Sequence, residues 1–312
     1  MMALQQVYKH SGAIGPAGIL VPALGAVGAL VLSIVYGYIS VYNPIAGYIS
    51  FLITGAFAFG LVMLMSVLAK TGKCRNAGFL HVMGGLIGAL ALYASWVVFI
   101  YALINRSYDD AELNLFAMFL SPSDIWGTIL DINETGWFTI KSATPSGVIL
   151  WIFWGIEAVI IAGAPLVFGA VGINDEVFCE RCNQWCDTSD KFQLALPSDA
   201  SATKQITDGS LETLEGLNRV DAGVYPRLDV TVHSCQDCSK SAVYKVEATR
   251  LEVNKDGQAS EKNDKVTELL MLSQDGMQRL KTLSAKPIEV TTAEPTESPE
   301  PEEPLATTEA AE

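Results

Sequence analysis

Three observations predict an α-helical integral membrane four-helix bundle followed by a cytosolic, β-rich, zinc-ribbon-like domain and a disordered acidic tail. Four almost purely apolar runs of roughly 25 residues are each long enough, at about 1.5 Å rise per residue, to cross a hydrocarbon core of about 30 Å. Two Cys-x-x-Cys pairs, Cys179 with Cys182 and Cys235 with Cys238, lie beyond the last run. The final stretch is built from Pro, Glu, Thr and Ala. Charge follows the same division: residues from 173 onward carry 14 basic and 27 acidic side chains, −13 of the formal −14. An acidic half of this kind repels nucleic acid and anionic lipid, so no nucleic-acid partner is expected.

Residues 1–18 read as a cytosolic amino terminus. Lys9 and His10 precede an apolar stretch as a secretion signal would. That stretch continues to about residue 41, well beyond a signal core of roughly 7 to 15 residues, and reads as a retained membrane helix. The four transmembrane segments are residues 19–42, 45–69, 79–104 and 148–172. Asn43 and Pro44 turn the first pair into a tight hairpin. Residues 70–76 hold Lys70, Lys73 and Arg75, the densest basic cluster of the membrane half. The positive-inside rule places that loop and both termini in the cytoplasm, with a bacterial plasma (inner) membrane as the host bilayer.

Residues 105–147 then face outward, and their composition agrees: Asp109, Asp110, Glu112, Asp124, Asp131 and Glu134 stand against Arg106 and Lys141. Tyr36, Tyr38, Tyr42, Tyr48, Tyr101, Trp151 and Trp154 fall near the outer helix ends, where amphipathic rings prefer the headgroup layer. Asp109 with Glu112, and Ser121 with Asp124 after Pro122, read as two helix starts. The runs that follow present Phe116, Phe119, Trp126 and Ile129 to the membrane surface or to the bundle. Gly25 and Ala29, Ala56 and Gly60, Gly84 and Gly88, and Ala158 and Ala162 are small pairs four apart, a spacing that lets helix backbones approach closely in lipid. Pro165 is placed to kink the fourth helix.

Residues 173–286 form the cytosolic domain. Strands are expected at 192–196, 228–233, 242–253 and 265–272, with Lys255, Asp256 and Gly257 as the hairpin turn between the last two. Residues 198–216 read as loop or short helix, and 287–312 as the disordered tail. Each Cys-x-x-Cys puts two thiolates on one turn, and two such turns complete a tetrahedral zinc site. The gap between the pairs exceeds the usual ribbon spacing, which a strand-rich insertion explains. A reducing cytoplasm disfavours disulfides; a redox dithiol and plain structural cysteines are the competing readings. Cys186 and His233 are spare ligands, and Trp185 is expected to pack over the site. Four thiolates saturate zinc and leave no position for a catalytic water, so the metal is structural.

Glu157 is the one carboxylate inside an apolar run. Such groups are paired, face the bundle interior, or are protonated. Depth counting puts Ser33, Thr54 and Tyr93 level with it, as an intramembrane polar site or as neutral hydrogen bonding between helices. His81 reads as interfacial, and no phosphate loop, zincin or nucleophile-elbow motif is present. The leading functional expectation is a non-enzymatic polytopic membrane protein that presents a zinc-stabilised cytosolic domain to a protein partner. The alternative is a small transporter or channel subunit using Glu157 as a proton or cation site; four helices enclose little room, so it would work as a homo-oligomer. A third reading, a membrane enzyme built on Asp124, Asp131 and Glu134, competes with their roles as caps and solvated charge.

Overall fold

The computed structural model describes residues 5–43, 48–108, 112–139, 144–238, 241–255 and 257–288. Asp109, Asp110, Pro44, Lys141, Asp256 and nearly all of the acidic tail lie outside them, so the expectations that rest on those residues are not addressed. Two compact units divide the chain: residues 6–189 with 233–243, and residues 190–232 with 1–5 and those from 244 onward.

In the first unit, four helices are long and apolar enough to cross a membrane: α1 (Leu20–Tyr42), α2 (Tyr48–Thr71), α3 (Ala77–Ser107) and α6 (Val148–Phe168), the last continued by the short α7 (Val171–Asn174). Helix α3 is central, with 56% of its most apolar window buried against 28% for α1. Helix α1 shows how the sequence sorts its faces. Gly25, Ala29, Ser33 and Gly37 point inward, whereas Leu20, Leu24, Val27, Val31 and Val35 are exposed. Small residues inside and large aliphatics outside is the arrangement expected of a helix that packs by close approach and meets lipid on its other side.

Close approach is sharpest between α3 and α6. A Cβ at Gly84 would lie 2.0 Å from the Pro165 carbonyl oxygen, and one at Gly88 would lie 2.9 Å from Ala162 Cα. The small pairs at 84/88 and 25/29 therefore mark packed surfaces, whereas Ala56 is exposed and a Cβ at Gly60 would meet Leu32 only at an ordinary 3.7 Å. Pro165 sits inside an unbroken α6 and is buried, three residues before the helix ends.

The segment between α3 and α6 holds two short helices, α4 (Leu115–Phe119) and α5 (Pro122–Thr135). Asn114 caps α4 by accepting from the Ala117 N–H at 3.1 Å; the start expected at Asp109 lies outside the described residues. Helix α5 begins where expected, with Pro122 in its first turn and Asp124 following, but the Ser121 hydroxyl does not cap it and donates to Ala117 O at 3.1 Å instead. It buries Ile125, Ile129 and Ile132 against the ends of α3 and α6, while Phe116, Leu120 and Trp126 stay exposed.

The second unit is a five-stranded sheet with helices. Strands β3 (Asp187–Ala195), β4 (Arg227–Ser234), β5 (Ala242–Val253) and β6 (Ala259–Lys265) run in that order, and β7 (Leu270–Leu272) pairs with β5. Two expectations need correction here. The hairpin partner of β5 is β6, in register from Val253 opposite Ala259 to Glu247 opposite Lys265, not the stretch 265–272. Helix α10 (Gln274–Ser284) lies where no element was expected; Ser273 caps it, and its Leu280 and Leu283 are buried. Helices α8 (Ala200–Thr207) and α9 (Leu211–Glu215) occupy the polar stretch before β4. Arg279 of α10 grips Glu215 of α9 through two 2.7 Å hydrogen bonds.

The sheet also buries a charged network. Arg227 and Asp229 are 5% and 6% exposed and pair at 3.2 Å. Asp229 accepts further hydrogen bonds from Gln193 (3.1 Å) and Thr249. Because every member has a partner, burial of these charges is tolerated.

Candidate metal centre

The first cysteine pair stands on a small knuckle. Strands β1 (Phe178–Cys179) and β2 (Gln184–Trp185) pair antiparallel with Cys179 opposite Gln184, and the turn between them carries Cys182. Asn183 closes the turn at φ 51°, in the left-handed region that Asn tolerates better than most residues. The second pair straddles the connection from β4 to β5, where the Cys235 N–H donates to Ser241 O at 3.0 Å. All four pair members belong to the first unit together with the long helices.

The sulfur atoms of Cys179, Cys182, Cys235 and Cys238 lie within 4.8 Å of one another, and those of Cys179 and Cys238 are 3.7 Å apart. Thiolates bound at about 2.3 Å to one ion would stand about 3.8 Å apart in a regular tetrahedron, so this cluster can hold a metal ion. All six cysteines are free of disulfides. Neither Cys186 nor His233 belongs to the cluster. Cys186 is buried with its N–H on Val177 O, and His233 Nδ1 lies 3.5 Å from Thr188 Oγ1.

Electrostatics prepares one thiolate, Cys235, and restrains two thiols, Cys182 and Cys186. Burial works against ionising Cys235, but the N–H groups of Cys238 and Asp237 and the Gln184 amide outweigh it and hold the pKa down to about 6. The Cys182 thiol is pushed upward, by its hydrogen bond to Cys238 first and by burial second. Cys186 is pushed up to about 12 by burial and then by the negative charge of Cys235, Cys179 and Cys238. A cation reverses this mutual suppression, because it lowers the cost of every thiolate it touches.

The knuckle is fastened to the loop between α2 and α3. Lys70 pairs with Glu176, and Lys73 Nζ donates to Asn183 O. Arg75, 6% exposed, meets Glu180 at 3.0 Å and lies 3.9 Å over the Phe178 ring. Trp185 ties the knuckle to the helices: its Nε1 donates to Lys70 O at 2.9 Å, and its ring packs against the core that includes Ala69, Cys74 and Ile173. From the amino-terminal side, His10 Nε2 reaches Ile173 O at 2.9 Å and the Tyr8 hydroxyl accepts from the Phe178 N–H at 2.9 Å.

Glu157 occupies a different place. It lines a cavity of about 60 Å³ among α1, α2, α3 and α6, with Tyr36, Ser50, Ser95, Trp96 and Trp154. Of the residues expected beside it, Thr54 connects through the Tyr36 hydroxyl at 2.9 Å. Ser33 instead spends its hydroxyl on Ala29 O (2.7 Å) and Ala91 O (3.0 Å), and Tyr93 donates to Phe119 O at 2.7 Å. Depth counting missed the aromatic wall because it ignored rotation about the helix axis. The spacing of Leu92, Ser95, Trp96 and Phe99 along α3, and of Trp154, Glu157 and Ile161 along α6, puts each set on one helix face. His81 Nδ1 lies 2.8 Å from Leu166 O, and Asp124, Asp131 and Glu134 are exposed along α5. Comparison with known proteins gives no match: no family model, no curated protein and no solved structure resembles this chain.

Proposed function

We propose that the chain is a non-enzymatic polytopic membrane protein whose zinc-ribbon-like module, held by Cys179, Cys182, Cys235 and Cys238, presents the residues after the fourth helix to a cytosolic protein partner. The reading is carried by a four-sulfur cluster that is complete in itself and fastened to the basic loop. Four thiolates saturate zinc, so the ion stabilises the module and offers no open position for substrate. The basic residues 70–75 and the cysteine knuckle belong on the cytoplasmic face by the positive-inside rule, and the exposed aliphatic faces of the long helices suit lipid. Exposed Phe116, Leu120 and Trp126 suit the opposite headgroup layer.

Metal analysis of the full chain, purified in detergent without chelator, tests the core of this reading. The expected result is stoichiometric zinc that is lost in the Cys179→Ser/Cys235→Ser variant; a chain free of stoichiometric metal refutes it. Crosslinking in intact cells, with and without residues 287–312, tests the partner. Failure to recover any crosslinked protein from either form would remove the interaction role.

A further inference from the structure

We infer that the cavity at Glu157 is a binding site for a small organic ammonium cation. Glu157 supplies the negative charge, and among the described lining residues no Lys, Arg or His neutralises it. Five of the twelve other described lining residues are aromatic: Tyr36, Trp96, Phe99, Trp137 and Trp154. Trp96 and Trp154 meet edge to face, 4.9 Å between centroids at 89°, and so form two perpendicular sides of one corner. Tyr36 contributes a third ring, held in place by stacking on Phe57 at 4.5 Å and by its hydroxyl contact with Thr54. Trp154 is braced in turn by Trp151 at 5.4 Å.

Ring faces attract cations through their quadrupole, most strongly where water is excluded, and a carboxylate among such rings is the chemistry that recognises alkylammonium groups. A bare alkali ion requires a shell of oxygen atoms in place of its water; this cavity offers the Glu157 carboxylate, the Asn43 amide and Ser and Tyr hydroxyls, and shares its lining with five aromatic rings that give such an ion no oxygen beyond Tyr36. The volume of about 60 Å³ is several times what one water needs and suits a cation of methylammonium size. Pairing the cation with Glu157 also leaves the bundle interior neutral, which offsets the cost of a lone carboxylate at membrane depth.

The test uses the full chain in lipid nanodiscs, with radiolabelled methylammonium as the probe in equilibrium dialysis at constant ionic strength. Saturable binding is expected, displaced by ammonium and unaffected by an equal concentration of NaCl or KCl. Trp154→Leu should weaken it roughly tenfold, and Glu157→Gln should abolish it. Absence of saturable binding, equal displacement by sodium or potassium, or full binding in a folded Glu157→Gln variant would overturn the proposal. If that variant does not fold, the unmodified chain decides. Dicyclohexylcarbodiimide, which attacks carboxyl groups in apolar surroundings, should label Glu157 more slowly with methylammonium present, and labelling at an unchanged rate would overturn the assignment.

Discussion

Replacing Arg75 by Gln should open the metal module from the membrane side without touching a sulfur ligand. Arg75 is 6% exposed and holds the knuckle through two contacts: the ion pair with Glu180 at 3.0 Å and the Phe178 ring at 3.9 Å. Glu180 is half exposed, so the ion pair is discounted to at most about 1 kcal/mol. The desolvated ring contact adds about 1 kcal/mol or more. Together they amount to about 2 kcal/mol, or roughly thirtyfold in the equilibrium for local opening. Phe178 and Glu180 flank the buried Cys179, so a chelator reaches that sulfur when the segment lifts. Metal release to a chromogenic chelator should therefore accelerate roughly thirtyfold in Arg75→Gln. Lys70→Gln removes only an ion pair whose side chains are 46% and 34% exposed, and should change the rate less than about fivefold. Equal rates for the two variants would refute the assignment of Arg75 as the clamp.

Three further outcomes follow from the packing. Gly84→Val should abolish a monodisperse, folded chain in detergent, because its Cβ would collide with the Pro165 backbone at 2.0 Å, whereas Gly55→Ala, with nothing within 4 Å, should elute unchanged in size-exclusion chromatography. Asp229→Ala removes one of the two carboxylate partners of the buried Arg227, which keeps Glu261 at 3.2 Å, and should destabilise the sheet by about 1.5 to 3 kcal/mol, read as faster hydrogen exchange in β4 and β5. Glu215 is held below the ordinary carboxylate range by its hydrogen bonds to Arg279, so its contribution is complete above that range and is lost as pH falls through the lower native value. With both side chains about a third exposed, Glu215→Gln should cost about 1 kcal/mol at pH 7 and nothing once the native carboxyl is protonated; exchange in α10 measured across that window checks the sign.

The four long helices and the cysteine set were legible because each rests on a local signal: continuous apolarity over a bilayer's width, and thiols two residues apart on a turn. Strand β6 was not legible. Its sequence Ala-Ser-Glu-Lys-Asn-Asp-Lys has no apolar alternation, and it is a strand because it pairs along β5 at the sheet edge while its side chains meet water. Charged side chains on such an edge discourage pairing with another chain. Helix α10 was hidden for a related reason. Gly276 in its first turn and a largely polar exposed face mask a narrow stripe of Gly276, Leu280 and Leu283 that is nonetheless buried. Cys186 and His233 were reasonable ligands by chain distance, but the backbone bond from Cys186 to Val177 O pins that thiol outside the cluster. Sequence spacing cannot reveal that choice.

The basic loop serves two physical tasks that do not compete, because they act at different times. Orientation by positive charge acts on the inserting chain, when Lys70, Lys73 and Arg75 are still hydrated and unpaired. Once the chain has folded, Glu176 and Glu180 approach two of those cations, and the loop's charge surplus is largely spent on the knuckle. Both acids come from the segment that follows α6, which must therefore leave the bilayer on the same face as the loop for these pairs to form. The proposed orientation and the docking of the metal module thus depend on the same three side chains. Reversing their sign together, with Lys70→Glu, Lys73→Glu and Arg75→Glu, should weaken metal retention and shift the accessibility of the loop in vesicle labelling. A triple variant with inverted topology but wild-type metal content would separate the two tasks and show that the knuckle folds without the loop.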